Sequence, residues 1–494
     1  MPTPPPLFST TTGLLIIAGY GAAAFALTWA TSRHEKTGKA AFLLANRKLG
    51  VWPLAFSIAA TWIWAPALFL ASEKAFTQGF TGVFWFTVPN VLCLIIFAYF
   101  ADRIRSLAPN GFTLSGYMRD RHSPRVQTLY LLQLCGLAAC SFAVQLLAGG
   151  KVLAYLTGLP FLWVTILMAA IALSYSLFSG LKASVMTDYA QMIIILAVVL
   201  GIVPWAVHEA GGLAAISAGL GGADGGYGVP WRGDGFTTSW TFGIPVTLGL
   251  LAGPFGDQSF WQRAFAAETD TVKPAFIRGA LLFAVVPVAL SLLGFIAAGK
   301  GWQLEDTALV NLESIRRLLP AWVMIPMVFM LLSGLISTLD SNLCAVASLW
   351  GHDIERMRQD TETENDAQVV GAARISMLAL AAAALLIANL PGIKILYLFL
   401  FYGTLRASTL LPTMFTLTRR QISERAVFYG ILAGIAMGLP VFAYGNFCGH
   451  PVWKTTGAVL TVALSGIAVL AGSRRASAAD TTGNMPHSAD PDVG

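Results

Sequence analysis

Charge is scarce in this chain. Asp, Glu, Lys and Arg make up only 11% of its 494 residues, against about 25% in soluble domains, which excludes water as its main solvent. Cysteine is scarce too. The five, Cys93, Cys135, Cys140, Cys344 and Cys448, fall mostly inside apolar runs and show no CxxC or other metal-ligand spacing, so neither a disulfide framework nor a zinc site is expected. The six histidines form no HExxH, and no Ser/His/Asp set or nucleotide-binding loop stands out; an enzyme and an organic cofactor are therefore not expected. The net charge of +6 comes from short basic clusters between apolar runs rather than from a stripe, which argues against a nucleic-acid partner. No Lys or Arg precedes the first apolar run in MPTPPPLFSTTTGLLIIAGYG. The basic n-region of a cleaved signal peptide is missing, and the first span is expected to be retained.

What the chain has in abundance is hydrophobic residues, at 56%, with a mean hydropathy of +0.68. A hydrocarbon core of about 30 Å needs about 20 apolar residues per helix. Runs of that order recur near 12–31, 51–74, 83–102, 127–157, 160–180, 183–207, 238–266, 278–299, 320–349, 373–390, 393–416, 426–446 and 455–473. The reading is an all-α polytopic membrane protein with about thirteen transmembrane helices, its partner the lipid bilayer and no oligomer required. With the N-terminus outside, one face collects the basic clusters at 33–48, 103–125, 356–374, 419–425 and 474–475, with Lys182, Lys273 and Arg278. The other receives chiefly Arg232, Lys300, Arg316, Arg317, Lys394 and Lys454. The bias, roughly three to one, predicts N-out and C-in in a plasma (inner) membrane.

Transporters place substrate at discontinuous helices in corresponding positions of two halves. The second span, LAFSIAATWIWAPALFLASEKAF, carries Pro66 in mid-membrane, which disfavours helix at Ala65. The seventh, TLGLLAGPFGDQSFWQRAF, gathers Gly253, Pro254 and Gly256 beside Asp257. These spans open two five-helix units, 51–207 and 238–416, entered from opposite sides of the membrane: an inverted five-plus-five repeat with broken first and sixth core helices. Residues 1–50 hold the first helix and a cytoplasmic link, and 208–237 a Gly-rich extracellular loop expected to be flexible. Two further helices fill 417–475, and a disordered cytoplasmic tail is expected over 476–494.

Intramembrane charge is expensive, so Asp188, Asp257, Asp340 and Arg406 each need a reason. Asp188 could pair with Lys182 or a loop cation; Arg406 could snorkel, pair with an aspartate, or meet an anionic solute. Ser337 and Thr338 are adjacent, membrane-embedded hydroxyls, and Ala60 and Ile63 precede the break and would offer freed carbonyls. Oxygen ligands of this kind suit sodium, although membrane Ser and Thr also serve as helix-helix contacts. Trp62 and Trp64 could line a pocket or simply pack.

Taken in chain order, ANRKLGVWPLAFSIAAT, FAVQLLAGGKVL, SGLKASVMTDYAQ and SGLISTLDSNLCAVASLWGHDI resemble the sodium:solute symporter family over about 400 residues. The resemblance implies an inverted five-plus-five core with one helix before it and two after. It implies a sodium site at Ala60, Ile63, Gly334, Ser337 and Thr338, with Gly334 where alanine is more usual, and a cation-coupling carboxylate at Asp188. Within the family, WIWAPAL and GDQSFWQRAFAA are most similar to the urea-active transporter branch. Gly253 replaces the aromatic gate of the sugar branch, and Trp62 the aspartate of the proline branch.

The expectation is a sodium-coupled symporter of a small polar solute, with urea or another small neutral amide leading. The solute would sit beside Trp62, Trp64, Gln145, Phe255, Asp257, Gln258 and Arg406. Arg406 departs from the uncharged pattern expected for urea and keeps an amino acid or small carboxylate open. Protons could replace sodium. From other classes, a solute-sensing membrane module would need a separate signalling partner, and a channel would give no reason for paired breaks.

Overall fold

The computed structural model describes residues 7–33, 38–358, 365–392, 395–418 and 421–480. Lys36, Lys394, Arg419 and Arg420 of the charge count, and most of the expected tail, lie outside them. Among the described residues the chain is helical throughout, with one isolated bridge between Leu49 and Ala267. Among the described residues, ten helices are by themselves long and apolar enough to cross a bilayer.

Helix α1 (Thr10–Ser32) precedes the core. The first core helix is split into α2 (Val51–Trp62) and the start of α3 (Ala65–Leu107). A straight helix of 43 residues would measure about 65 Å, twice the hydrocarbon thickness. Helix α3 instead turns at Gln78 (φ −127°, ψ 17°) and Gly79 (φ 52°, ψ −150°), so it carries the far half of one crossing and all of the next. Helices α4 (Pro124–Thr157), α5 (Phe161–Ser179) and α6 (Leu181–Glu209) complete the first set of five.

The second set opens on another interrupted crossing: a π-helical turn over Ser239–Gly243, α7 (Ile244–Leu251), a 3-10 turn over Pro254–Gly256, and α8 (Gln258–Ala266). Then come α9 (Val272–Gly299), the short α10 (Val310–Leu318), α11 (Met324–Ser348), α12 (Asp366–Ala388) and α13 (Ile395–Thr418). Helices α14 (Glu424–Phe447) and α15 (Pro451–Asp480) follow the core. The last helix runs five residues into the stretch expected as tail, and 481–494 lie outside the described residues. Among the described helices long enough to cross a bilayer, α11 is the most enclosed: its residues from Met330 to Ser348 are all buried, while α1 and α14 leave large apolar side chains such as Leu15 and Tyr429 exposed, as lipid-facing helices do.

Two expectations shift. Pro66 does not sit in the break but in the first turn of the helix that restarts at Ala65, where a missing N–H is harmless; the non-helical residues are Ile63 (φ −83°, ψ 76°) and Trp64 (φ −93°, ψ 175°). The Gly-rich segment is no free-standing loop. Phe80 N–H donates to Leu220 O at 2.8 Å, Thr81 N–H to Tyr227 O at 3.1 Å, and Ala223 N–H to Phe76 O at 2.7 Å, so it supplies the partners that the α3 turn leaves unsatisfied. Gly79 holds a positive φ there, and a Cβ on it would overlap the Leu220 carbonyl.

Candidate functional site

Each interruption leaves backbone groups without helical partners, and these must be satisfied elsewhere. At the first, Gln145 of α4 accepts from Ala65 N–H at 3.0 Å through Oε1, capping the restarted helix. Helix α11 packs across the gap. Thr338 donates to the carbonyls of Thr61 (3.3 Å) and Gly334 (3.2 Å). A Cβ on Gly334 would lie 3.1 Å from the Ile63 carbonyl, so glycine lets the two backbones approach. Ala60 O accepts from Ile63 N–H at 3.1 Å as the helix ends.

Ser337 faces inward but not directly onto those carbonyls: it donates to Asp188 Oδ1 at 2.5 Å. Asp188 also accepts from Ser57 at 2.6 Å and from Arg263 Nη2 at 2.8 Å, all fully buried. Its cation is therefore Arg263 of α8, not Lys182 or a loop residue. Arg263 further donates to the Ser57 hydroxyl, the Ser341 hydroxyl (both 2.8 Å) and the Ser259 carbonyl (3.1 Å). One guanidinium thus ties the second broken helix to α2, α6 and α11. A charge buried this deeply is tolerated because it is paired and its remaining donors are engaged.

A second buried carboxylate, Asp340, accepts from Tyr175 (2.5 Å), Ser184 (2.8 Å), Ser341 (3.3 Å) and Thr187 (3.4 Å). The sequence marked Asp340 as unusual without assigning it a role, and it missed Arg263, although an arginine inside an apolar span opposite a lone aspartate was a usable signal.

At the second interruption Arg406 of α13 donates to the Gly253 carbonyl through Nε (3.0 Å) and Nη2 (2.5 Å). Its guanidinium lies 4.1 Å from the Tyr402 ring centroid and 5.8 Å from that of Trp62, and the residue is 3% exposed. It neither snorkels nor pairs with an aspartate; the freed carbonyl is its partner. Trp62 fills the space over Gly253, where a Cβ would overlap its ring, and Trp64 packs 5.9 Å from Tyr402.

The structure therefore gathers Trp62, Trp64, Gln145 and Arg406 around the two breaks. It takes Phe255 and Gln258 elsewhere: Phe255 joins Phe97, Phe100 and Trp261 in an aromatic cluster with centroids 5.1–5.9 Å apart. Gln258 reaches the Leu114 N–H at 3.2 Å and the Ser348 hydroxyl at 3.2 Å. Asp257 caps α8, its Oδ1 accepting from Ser259 N–H at 2.9 Å and from the Ser259 hydroxyl at 2.6 Å. All five cysteines are free. A cavity of about 990 Å³ opens between the 107–121 segment and the end of α13, lined by Arg103, Tyr117, Asp120, Arg121 and Arg356 among others, and no residue of the first break lines it.

Residues 42–434 match the sequence profile of the sodium:solute symporter family. The chain belongs to that family. As a sodium:solute symporter it is a multi-pass membrane transporter, not an enzyme. It is 23% identical to a probable urea active transporter 1 of Schizosaccharomyces pombe over 463 residues, covering 86% of this chain and 68% of that one. It is 23% identical to a urea-proton symporter of Oryza sativa subsp. japonica (88% and 66%), and 24% to a urea active transporter of Saccharomyces cerevisiae (86% and 62%). The chain thus spans about two thirds of the length of these relatives. Among solved structures, a Na+-coupled sialic acid symporter in a substrate-bound outward-open state superposes with a TM-score of 0.75 at 16% identity, over 94% of this chain and 98% of that one. The nucleobase-cation-symport-1 transporter Mhp1, closed around bromovinylhydantoin, gives 0.55 at 15% identity, over 89% and 96%. These two likenesses establish the shared fold.

Proposed function

We propose that this symporter couples sodium to the entry of urea or a similar small neutral amide by alternating access. The observation that carries the reading is the Ile63–Trp64 interruption faced by Gly334 and Thr338 of α11, with Ser337 beside them. Hydroxyls that donate to a carbonyl or carboxylate keep their lone pairs for a cation. Ala60, Ile63, Gly334, Ser337 and Thr338 then supply the oxygens for sodium, and Asp188, charge-balanced by Arg263, holds Ser337 in place. Sodium favours one state of the transporter by its differential affinity and so shifts the population that the solute meets. The solute binds beside Trp62, Trp64 and Gln145, and the two five-helix sets rock about it. The Arg-rich face is the cytoplasmic one, with the N-terminus outside.

Two points favour a neutral amide over a carboxylate. The most similar relatives reported above carry urea in their names, and Arg406 already spends its guanidinium on Gly253 and Tyr402. The rice relative's name supports a second reading in which protons drive uptake. Uptake of labelled urea into proteoliposomes, under an imposed sodium gradient or an imposed pH gradient, separates the two. Sodium-driven uptake is expected. Ser337→Ala with Thr338→Ala should raise the half-saturating sodium concentration about tenfold, equivalent to about 1.4 kcal/mol; an unchanged sodium dependence would refute the site.

A further inference from the structure

Trp62 Nε1, Gln145 Nε2 and Asn342 Oδ1 are buried polar atoms near the first break that have no hydrogen-bond partner among the described residues. Their residues are 3%, 0% and 2% exposed. Each side chain is nonetheless held. Gln145 uses Oε1 to cap Ala65, Asn342 uses Nδ2 on the Thr338 carbonyl (2.7 Å) and the Ser141 hydroxyl (3.1 Å), and the Trp62 ring meets Phe260 edge-on with centroids 5.3 Å apart. Their anchors bring them into one layer. Ser141 and Gln145 are one turn apart on the same face of α4, Asn342 follows Thr338 by one turn on α11, and Thr338 touches the Thr61 carbonyl beside Trp62.

A buried donor or acceptor left unmade is destabilising, and each such group in a native structure calls for a partner. We infer that the missing partner is the solute and that Asn342 is a specificity-determining residue. Trp62 Nε1–H and Gln145 Nε2–H donate to a carbonyl oxygen, while Asn342 Oδ1 accepts an N–H from the same molecule. Two donors and one acceptor, with no uncommitted charge, are the complement of a urea or primary carboxamide. A carboxylate would leave Asn342 facing a second acceptor, and an ester or a ketone would leave it unpaired. The inference rests on the reading of the chain as a carrier of small neutral amides and adds to it the atoms that read each end of the amide.

The test compares analogues in proteoliposomes. In the unaltered protein, urea is taken up and unlabelled acetamide competes. Tetramethylurea, which keeps the carbonyl but has no N–H, competes at least tenfold less well, as does thiourea, whose sulfur is the poorer acceptor. Asn342→Leu should raise the KM for urea about tenfold and erase the preference for urea over tetramethylurea, leaving the preference over thiourea in place. Trp62→Phe, which removes the pyrrole ring with its N–H and keeps a six-membered aromatic ring, should do the reverse. A purely structural role for Asn342 would slow all analogues alike and leave their ratios unchanged, which would overturn the inference; so would equal competition by urea and tetramethylurea in the unaltered protein, a result that needs no variant to fold. If the unaltered protein takes up no amide at all, the functional reading falls and this inference with it. If it takes up urea while Asn342→Leu shifts neither KM nor selectivity, the inference alone fails.

Discussion

At the first interruption the helix is broken over Ile63 and Trp64, and the contacts that hold it come from uncharged polar side chains, Gln145 and Thr338. At the second the chain unwinds from Ala252 through Asp257, and what holds it is a guanidinium on Gly253 O and a packed aromatic cluster around Phe255. The neutral groups at the first can exchange a partner cheaply, since no buried charge is exposed when they let go. A charge-assisted bond such as Arg406 to Gly253 is stronger and more directional. On the proposed reading, ion and solute bind at the first break and the second is the mechanical anchor, with Arg263 joining them.

The largest effect should come from cutting that joint. Arg263→Met leaves Asp188 buried without a cation and should lower stability by about 3–5 kcal/mol, read as thermal unfolding in detergent; adding Asp188→Leu should recover much of the loss. A single variant as stable as the parent would mean that the pair does not link the breaks. Next, Gly253→Ala pushes a methyl group into the Trp62 ring and should cost about 1–3 kcal/mol by overpacking, with urea uptake falling as Trp62 is displaced. Arg406→Gln should cost about 1.5–3 kcal/mol for the lost charged hydrogen bond and reduce urea uptake only modestly. Complete loss of uptake with normal folding would move Arg406 from anchor to solute contact and favour a carboxylate substrate. Smallest, Gln145→Leu removes the cap on Ala65 and should cost about 1 kcal/mol, with a rise in the KM for urea larger than the change in melting temperature implies.

Much of the architecture was legible because the bilayer imposes it. Runs of about 20 apolar residues announce themselves, and a Gly/Pro cluster in mid-span announces a break. The position of the first break was read from Pro66 as lying at Ala65, and it falls one to two residues earlier, since proline is at home in a helix's first turn. The hydroxyl pair was found because Ser337 and Thr338 are adjacent in sequence. Arg263 was not, although its place inside an apolar span was a signal, because its partner Asp188 is 75 residues away and sequence alone does not show which carboxylate an arginine meets. Phe255 and Gln258 were placed with the solute because they lie at or beside the second break in sequence, yet their side chains are taken up by the aromatic cluster that packs that break and by the 112–114 backbone.

Composition and spacing alone determined that this chain crosses a membrane many times and that two of its crossings are interrupted. Those properties depend on local hydropathy and on residues that cannot continue a helix, wherever the rest of the chain goes. Only the tertiary structure decided that Arg263 neutralises Asp188, that Arg406 is committed to a backbone carbonyl, and that Trp62, Gln145 and Asn342 each keep one polar atom unpartnered. Such facts are set by which side chains meet across helices distant in sequence, and in a low-dielectric interior that meeting decides whether a polar group is satisfied or available.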